Sequence, residues 1–335
     1  MLSYKALTRS GFTGSRTGDD ALSAIPLTGT SPHCSLCDSP AVYHDRVTGR
    51  HLCRDHFIAD VEARVAETIR SRRLIKPGDH VAVGLSGGKD STALLMILAR
   101  VLLGIGNVSL TAVTVDEGIH GYREDTVKSA DELVKKYHLR HITVSFFELF
   151  GNTLDAFLKG REPEACTVCG VLRRKALIVG AERAGATKVA TGHNLDDEAQ
   201  SVFMNVLRGD LPRLVRDSGS DSKGRFIPRI KPLMHISEKE LAVYLMLHGA
   251  WPDLPECPYA VHALRMEVRT MLATLESRHP GTMLHLLESK AQIEAHCSGV
   301  LEVEPVRHCR ECGDPCSGEI CQLCLLKRRL GIGGP

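Results

Sequence analysis

Aromatic residues are scarce in this sequence. Phe, Trp and Tyr together make up 4% of the 335 residues, and there is a single Trp. Proteins that bind single-stranded nucleic acid by stacking bases rely on several aromatic side chains. The composition therefore argues against an aromatic platform as the main means of binding RNA or DNA.

Long apolar runs are also lacking. No stretch reaches the roughly 18 residues that a membrane-spanning helix needs, and the N-terminal region has no apolar segment typical of a secretory signal. We therefore expect a cytoplasmic protein that does not associate with membranes. In a reducing compartment, the twelve cysteines are expected to be metal ligands or catalysts rather than disulfides.

Charge is nearly balanced, with a formal net charge of +2. The basic residues nevertheless cluster in segments 70–76, 173–175, 208–231 and 327–329. A charge run alone usually marks a solvated face, but several runs near one site would favour a polyanionic partner.

One segment has the form of a phosphate-binding turn. Residues 80–85 form a short apolar run typical of a buried parallel strand, and residues 92–103 have the pattern of an apolar helix. Between them lies Ser-Gly-Gly-Lys-Asp-Ser, residues 86–91. Its glycines let backbone N–H groups approach a ligand, and the following helix N-terminus favours negative charge. The spacing matches neither the Walker loop nor the dinucleotide fingerprint; the alternative is a turn that only packs strand on helix.

Strands and helices alternate after this segment. Further strands are predicted at 110–116, 141–147 and 188–191, with helices at 125–137, 169–184 and 195–207. This order favours an α/β fold with a doubly wound parallel sheet. Because ligands bind at the carboxyl ends of such strands, we expect Asp116, Gly192 and His193 to share one site with the phosphate loop.

The remaining chain is predicted to be mostly helical. Residues 60–75, 237–248, 260–276 and 280–295 have helical patterns, and Ser237 with Glu240 form a capping box. Residues 208–231 are interpreted as a long, mobile loop.

Two groups of four residues have the spacing of metal-ligand pairs. In each group two close pairs are separated by a short insert, which is typical of tetrahedral structural zinc. The predicted ligands are Cys34, Cys37, Cys53 and His56 in the first group, and Cys309, Cys312, Cys321 and Cys324 in the second. Cys316 lies between the second pairs and is not needed for the tetrahedron, and Cys297 has no partner pattern.

Three cysteines then remain: Cys166, Cys169 and Cys257. A C-x-x-C pair with a third cysteine can hold three irons of a 4Fe-4S cluster and leave the fourth iron open. The same residues could instead carry and resolve a persulfide, or form a third zinc site that lacks one ligand. Residues 166–170 are predicted to begin a helix, whose dipole would lower the thiol pKa values. Spacing alone leaves all three hypotheses open.

The predicted organisation has five parts. Residues 1–31 form a disordered tail, 32–60 an N-terminal zinc module, 61–230 the nucleotide-binding domain, 231–304 a helical extension that carries Cys257, and 305–335 a C-terminal zinc ribbon.

Taken together, these motifs resemble the TtuA/TtcA family of tRNA uridine 2-thiolation enzymes, which belong to the PP-loop ATP pyrophosphatases. The resemblance covers about residues 32–330 and is closest to the TtuA branch with two zinc modules. It is carried by segments 86–91, 116–123, 166–170, 192–199 and 257–259 and by both cysteine groups. Residues 170–177 resemble the members that modify wobble uridines more than those that modify position 54.

The resemblance implies ATP, Mg²⁺, two Zn²⁺ and a 4Fe-4S cluster as cofactors. Cys166, Cys169 and Cys257 would bind the cluster and, with Asp90 as the residue that holds the metal ion, would be the catalytic residues; Lys89 or Arg173 would contact phosphate. The residues assigned to ATP are Leu85, Ser86, Gly87, Gly88, Lys89, Asp90, Ser91, Asp116, Arg173, Gly192, His193 and Asp197.

The implied reaction adenylates the C2 oxygen of a tRNA uridine and replaces it with sulfur. The family implies tRNA, a thiocarboxylated ubiquitin-like sulfur carrier and a second copy of the chain as partners. Two other functions stay open: a PP-loop ligase with a nitrogen nucleophile, which would not need three free cysteines, and a non-catalytic zinc scaffold for tRNA, which would not need the phosphate loop.

Overall fold

The computed structural model describes residues 32–215, 227–252, 254, 257–259, 264–297 and 307–333. The predicted tail at residues 1–31 and the central part of the predicted mobile loop, residues 216–226, lie outside the described residues.

The N-terminal part is a small hairpin followed by a long helix. Strands β1 (Tyr43–His44) and β2 (His51–Leu52) pair antiparallel, and helix α1 spans Arg54–Ser71. Helix α1 buries Phe57, Val61 and Val65 along one face, because residues four apart lie on the same side of a helix. It begins six residues before the predicted residue 60, so that His56 lies in its first turn.

A parallel sheet forms the centre, as predicted, and within the described residues it has five strands rather than the four that were predicted. Short 3₁₀ turns occur at Leu102–Gly104 and Glu162–Glu164. In chain order the sheet strands and flanking helices are β3 (His80–Gly84), α2 (Lys89–Val101), β4 (Ser109–Asp116), α3 (Arg123–Lys136), β5 (Arg140–Ser145), α4 (Phe146–Phe150), α5 (Leu154–Leu158), α6 (Ala165–Ala184), β6 (Lys188–Ala190), α7 (Leu195–Leu207), α8 (Leu211–Val215) and β7 (Arg229–Ile230).

The order of the strands across the sheet is β5-β4-β3-β6-β7. All neighbouring strands are parallel, so the predicted doubly wound fold is confirmed. The chain extends to one side from β3 through β4 to β5 and then to the other side through β6. The crevice at this reversal, between β3 and β6, is where ligands bind in such sheets.

Helices cover both faces of the sheet. Val81 and Val83 of β3 pack toward α2 and α3, whereas Ala82 packs with residues of α6, as expected from the alternation of side chains along a strand. Gly180 of α6 lies so close to β4 that a Cβ there would be 2.3 Å from Val113 Cγ1. The glycine thus allows α6 to approach the sheet.

Three further predictions of local structure were wrong. Strand β5 ends at Ser145, whose hydroxyl accepts a hydrogen bond from the Glu148 N–H and caps α4, so Phe146 and Phe147 are helical. Helix α6 begins at Ala165, four residues before the predicted range 169–184, and residues 166–170 lie at its start as expected. Strand β7 and helix α8 lie in the segment that was interpreted as a loop. A two-residue strand has no periodic pattern, and only its pairing with β6 defines it.

Within its described residues, the C-terminal part adds three helices and a second small module. The helices are α9 (Glu238–Leu247), α10 (Leu264–Arg278) and α11 (Thr282–Cys297), and the module consists of β8 (Arg307–His308), β9 (Pro315–Cys316) and α12 (Gln322–Leu330). The predicted capping box at Ser237 and Glu240 is confirmed.

The C-terminal module packs against α6. Leu323 and Leu326 of α12 share one hydrophobic cluster with Val168 and Leu172 of α6. Among the described residues, no helix is long and apolar enough to cross a membrane.

Candidate active site and metal centres

The phosphate loop lies at the crevice between β3 and β6, with Gly88 as the N-cap of α2. The Ser91 hydroxyl fixes its shape, because it accepts a hydrogen bond from the Ser86 N–H (3.1 Å) and donates one to the Gly88 carbonyl (2.9 Å). The loop therefore presents a helix N-terminus, which favours a bound anion.

Gly87 is required by the loop geometry. Its φ of +87° is unfavourable for residues with a Cβ, and a Cβ there would lie 2.2 Å from the Thr126 carbonyl oxygen. The loop thus passes directly over the first turn of α3.

A cavity of about 480 Å³ opens beside this loop. Val113, Val115 and Leu177 supply apolar side chains, and carboxylates and guanidinium groups supply the polar ones. Mostly apolar clefts with a few convergent polar groups are typical of small-molecule sites. The predicted ATP residues that line it are Leu85, Ser86, Asp90, Ser91, Arg173, Gly192, His193 and Asp197.

The other predicted ATP residues do not line this cavity. Gly87 and Gly88 shape the loop. Lys89 Nζ lies between Asp90 Oδ2 (3.1 Å) and Glu238 Oε1 (2.9 Å). Asp116 Oδ1 accepts a hydrogen bond from the Gly118 N–H (2.9 Å), which stabilises the turn after β4.

Two carboxylates, Asp90 and Asp197, face the cavity from the two strand ends of the crevice. Asn194 joins them, since its Nδ2 donates to Asp90 Oδ1 (3.2 Å) and its Oδ1 accepts from the Asp197 N–H (3.0 Å). Burial raises the pKa of both carboxyls, and their mutual repulsion adds to the shift at Asp90. Carboxylates in such a position suit Mg²⁺, which binds through one or two carboxylates and substrate phosphates.

His193 is held as a neutral imidazole. Its Nδ1 lies 2.9 Å from Thr191 Oγ1. Burial, followed by the positive charges of Arg229 and Lys231, lowers its pKa to about 4. At neutral pH this side chain can donate or accept a hydrogen bond but carries no charge.

Sequence reasoning did not assign four arginines that line the cavity: Arg123, Arg174, Arg229 and Arg265. Arg174 and Arg229 lie close enough that, after burial, the charge of Arg174 lowers the pKa of Arg229. Arg265 Nη2 lies 3.6 Å from Asp197 Oδ1. Arg174 and Arg229 belong to basic clusters seen in the sequence, but nothing in the sequence indicated Arg265. The arginines make the cavity suitable for a polyphosphate.

The structure brings the three remaining cysteines to one end of α6. Cys166 is exposed in the first turn, Cys169 is buried in the second, and Cys257 lies half-buried on a separate loop. That loop contacts α6, because Cys166 Sγ lies 3.7 Å from the Tyr259 carbonyl oxygen. Its position is also fixed by a hydrogen bond from the Tyr259 hydroxyl to Asp155 Oδ1 (2.8 Å).

The spacing of this trio does not fit a single metal ion. Within the described part of the chain, the groups with ligand atoms all within 4.8 Å of one another are the two predicted zinc groups, and the trio is not among them. A third zinc site of three close sulfurs is therefore not formed. A cluster of several irons is larger and fits more widely spaced ligands.

The predicted lowering of the thiol pKa is wrong for Cys169. Burial raises the pKa of this thiol to about 11, although Arg173 opposes the shift. Arg173 Nη2 lies 3.2 Å from Cys169 Sγ and donates a hydrogen bond to it. Desolvation of the thiolate thus outweighs the helix dipole and the guanidinium charge.

The two predicted zinc groups have the dimensions of a tetrahedral site. Cys37 and Cys53 Sγ are 3.8 Å apart, and His56 Nδ1 lies 3.3 Å from Cys34 Sγ. In the C-terminal module, Cys309 and Cys324 Sγ are also 3.8 Å apart. Zinc with Zn–S bonds of about 2.3 Å places its sulfur ligands about 3.8 Å from one another.

The second pair of each module begins a helix. Cys53 is the N-cap of α1 and Cys321 is the N-cap of α12. Cys316 lies outside the C-terminal ligand group, and its Sγ contacts the Gly318 carbonyl (3.0 Å).

The fold and the loop at the crevice define the class of protein. Residues 58–252 match the PP-loop domain family, and residues 33–58 match the N-terminal LIM domain of 2-thiouridine synthetase TtuA.

Relatives with assigned names narrow this class. The chain is 37% identical over 315 residues to the tRNA 2-thiolation protein NcsA of Haloferax volcanii, covering 88% of this chain and 97% of that one. It is 39% identical over 314 residues to cytoplasmic tRNA 2-thiolation protein 1 of Bos taurus, covering 91% and 90% of the two chains. The chain therefore belongs to the PP-loop family of tRNA 2-thiolation enzymes.

A solved structure supports the same assignment. The U34-tRNA thiolase NcsA from Methanococcus maripaludis, determined with its [4Fe-4S] cluster, superposes with a TM-score of 0.79 and 33% identity. The match covers 90% of this chain and 97% of that one.

Proposed function

We propose that this protein is an ATP-dependent sulfurtransferase that converts uridine 34 of tRNA, the wobble position, to 2-thiouridine. The observation that carries the proposal is Arg173, which lines the nucleotide cavity and also donates a hydrogen bond to Cys169. A single side chain thus joins the phosphate-binding region to the cysteine trio. The preference for position 34 rests on the name of the relative from Methanococcus maripaludis.

ATP fits the cavity through complementary groups. The adenosine would contact the apolar wall at Val113 and Leu177, and the phosphates would lie at the α2 N-terminus. Asp90 and Asp197 are the residues that would hold Mg²⁺, which neutralises charge on the pyrophosphate. Attack of the uridine C2 oxygen on the α-phosphorus then gives an adenylated uridine and pyrophosphate.

Adenylation makes the C2 oxygen a good leaving group. A sulfur nucleophile attacks C2, the C2–O bond breaks, and AMP departs with the oxygen. Arg173 is placed to stabilise negative charge both on phosphate and on sulfur next to Cys169. This step requires the two sites to lie side by side.

Cys166, Cys169 and Cys257 are the residues that would hold a 4Fe-4S cluster. Their spacing is too wide for one zinc ion, and three cysteines leave one iron of such a cluster open. When bound, the cluster supplies an open iron that can hold the sulfur to be transferred. The persulfide relay uses the same three residues and is the alternative that the test below separates.

Both four-residue groups are proposed to bind structural zinc. Their ligand atoms already have tetrahedral spacing, and four protein ligands leave no position for a substrate. The N-terminal module would fix the start of α1 and the C-terminal module the position of α12 on α6. The five-part division given above stays a prediction.

Further partners are proposed on the basis of the family. A thiocarboxylated ubiquitin-like protein would donate the sulfur, the enzyme would act as a homodimer, and the names of the animal relatives favour the cytoplasm.

The test is anaerobic purification followed by counting of iron, sulfide and zinc per chain. Four irons with two zincs support the cluster; two zincs without iron favour the persulfide relay; three zincs without iron contradict both. In the same protein, Cys169→Ala is expected to abolish thiolation of tRNA, whereas Mg-ATP should still bind.

The matched control is Cys297→Ala, since Cys297 ends α11 and lies outside all these groups. It should thiolate tRNA at the wild-type rate. Equal loss of ATP binding and thiolation in Cys169→Ala would contradict the roles assigned to the trio.

A further inference from the structure

A buried carboxylate, Glu117, lies between the phosphate loop and the cysteine trio. It follows β4 directly, and 2% of its surface is exposed. One carboxylate oxygen pairs with Arg123 Nε (2.7 Å) and the other with Arg173 Nε (2.6 Å). A single carboxylate thus bridges two guanidinium groups.

Arg123 extends this bridge to the phosphate loop. It is buried in the first turn of α3, and its Nη1 donates to the Ser86 carbonyl (2.9 Å) and to Thr126 Oγ1 (2.9 Å). Its Nη2 donates to the Val115 carbonyl. Ser86 is the first loop residue, and Thr126 is the residue over which Gly87 passes. The position of Arg123 therefore fixes the loop.

Arg173 extends the bridge in the other direction. Its Nη2 donates to Cys169 Sγ (3.2 Å), and about half of the side chain is exposed to the cavity. Since Arg173 pairs with Glu117 through Nε, the carboxylate orients the guanidinium toward the sulfur. A hydrogen bond to a metal-ligating sulfur changes the properties of the centre.

We propose that Glu117 is a positioning residue that couples ATP binding at the phosphate loop to the reactivity of the Cys169 sulfur. The coupling runs through Arg123 on one side and Arg173 on the other. The inference rests on the proposed function, because it takes the cavity as the ATP site. Coupling of this kind is reciprocal, so a change at the sulfur site should also alter the affinity for ATP.

The charges explain why a carboxylate is needed at this position. Two guanidinium groups face one another across Glu117, and only an anion with two acceptor oxygens can bind both. An amide offers one acceptor oxygen, and its NH₂ group would face a guanidinium donor. A carboxylate on a shorter side chain keeps the charge but cannot reach both arginines.

Two variants of Glu117 distinguish a positioning role from a role in folding. Glu117→Asp keeps the buried charge and shortens the side chain by about 1.5 Å, so the fold is expected to be retained. Glu117→Gln keeps the size and removes the charge, so its thermal unfolding must be measured first. The matched control is Glu124→Gln, because Glu124 lies in the first turn of α3 next to Arg123 and its carboxylate is largely exposed.

The measurement is the rate at which iodoacetamide alkylates Cys169, relative to Cys166, by mass spectrometry. The protein is the full chain with both zinc modules intact and any iron removed, with and without α,β-methylene-ATP. In the wild type and in Glu124→Gln, the nucleotide should change the relative rate at Cys169 at least threefold. In Glu117→Asp and Glu117→Gln, the ratio of the relative rates at Cys169 with and without nucleotide should be close to one. The Kd for the nucleotide should rise at least fivefold.

The outcomes distinguish this inference from the proposed function. If the nucleotide binds and the wild type thiolates tRNA, but Glu117→Asp keeps the wild-type ratio, the positioning role is wrong and the function stands. A ratio of one in the wild type also overturns the coupling. If calorimetry detects no nucleotide binding to the wild type, the proposed function itself fails.

Discussion

Burial shifts the pKa values of several side chains around the cavity away from their ordinary values in solution. His193 remains neutral because desolvation and the cations Arg229 and Lys231 disfavour a further positive charge. Asp90 and Asp197 have raised pKa values because burial disfavours their anions. Both shifts are relieved by opposite charges, so a magnesium nucleotide is expected to lower the pKa of the two carboxyls.

Because its pKa is lowered, His193 is expected to reduce the stability of the folded protein in acid. Its pKa is about 4 in the folded protein and 6.5 in the unfolded chain, so the unfolded state binds the proton first as the pH falls. Stability is therefore lost between about pH 6.5 and pH 4, and by about 2 kcal/mol between pH 7 and pH 5.

This can be checked by urea unfolding of the wild type and His193→Gln at pH 7 and pH 5. The variant should lose less free energy of unfolding over this range, by about 2 kcal/mol. The other histidines and the metal ligands contribute equally to both proteins. Identical losses in the two proteins would show that His193 titrates normally.

At the scale of elements, each of the two predicted metal-ligand groups lies at the start of a helix. Cys53 and His56 lie at the N-cap and in the first turn of α1, and Cys321 and Cys324 occupy the same positions in α12. Four N–H groups at a helix N-terminus lack partners within the helix, and the Cys324 N–H instead donates to Cys321 Sγ (3.4 Å). Metal binding is thus expected to stabilise the helix together with its contact to the core.

Cys309→Ser and Cys316→Ser form a matched pair in the C-terminal module. Cys309 belongs to the four-residue ligand group, whereas Cys316 does not. Cys309→Ser is expected to lose one zinc ion per chain and to make residues 307–333 sensitive to protease, because α12 loses its metal-bound start. Cys316→Ser should retain the wild-type zinc content and resistance. Loss of zinc in Cys316→Ser would contradict the assigned ligand set.

At the scale of the whole molecule, the basic residues lie at two opposite edges of the sheet, one where the strands begin and one where they end. Residues 70–76 precede β3, and the turn that follows bonds to the segment before β4, with the Gly78 N–H donating to the Asn107 carbonyl (3.0 Å). This cluster therefore lies at the amino edge of the sheet. Arg174 lines the cavity at the carboxyl edge, and Arg161 precedes the helix that carries Cys166.

The position of these charges predicts where tRNA binds. The double variant Arg161→Gln/Arg174→Gln should weaken tRNA binding at least tenfold and reduce the slope of log Kobs against log salt by about 1.8, since each phosphate contact contributes about 0.9. Arg72→Gln/Arg73→Gln removes the same charge at the opposite edge and should change the affinity less than twofold. Filter binding over 50–200 mM KCl, a range of about fourfold in salt, is the measurement. Equal effects of both pairs would indicate non-specific attraction only.

Features that depend on neighbours in the chain could be predicted from the sequence. The phosphate loop follows from two glycines between an apolar strand and a helix, and the zinc groups follow from pair spacing. The capping box at Ser237 and the parallel order of the sheet were readable in the same way. In each case the physical cause acts over a few residues, or through the regular alternation of strands and helices.

Features that depend on distant residues were decided by the tertiary structure. Strand β7 exists because it pairs with β6, and Arg265 reaches Asp197 from a helix 68 residues further along the chain. Glu117 bridges two arginines only because α3 and α6 pack on opposite sides of it. Burial also reversed the pKa shift expected for Cys169. Pairing, ion contacts and desolvation depend on which segments meet in space, and local sequence patterns do not contain that information.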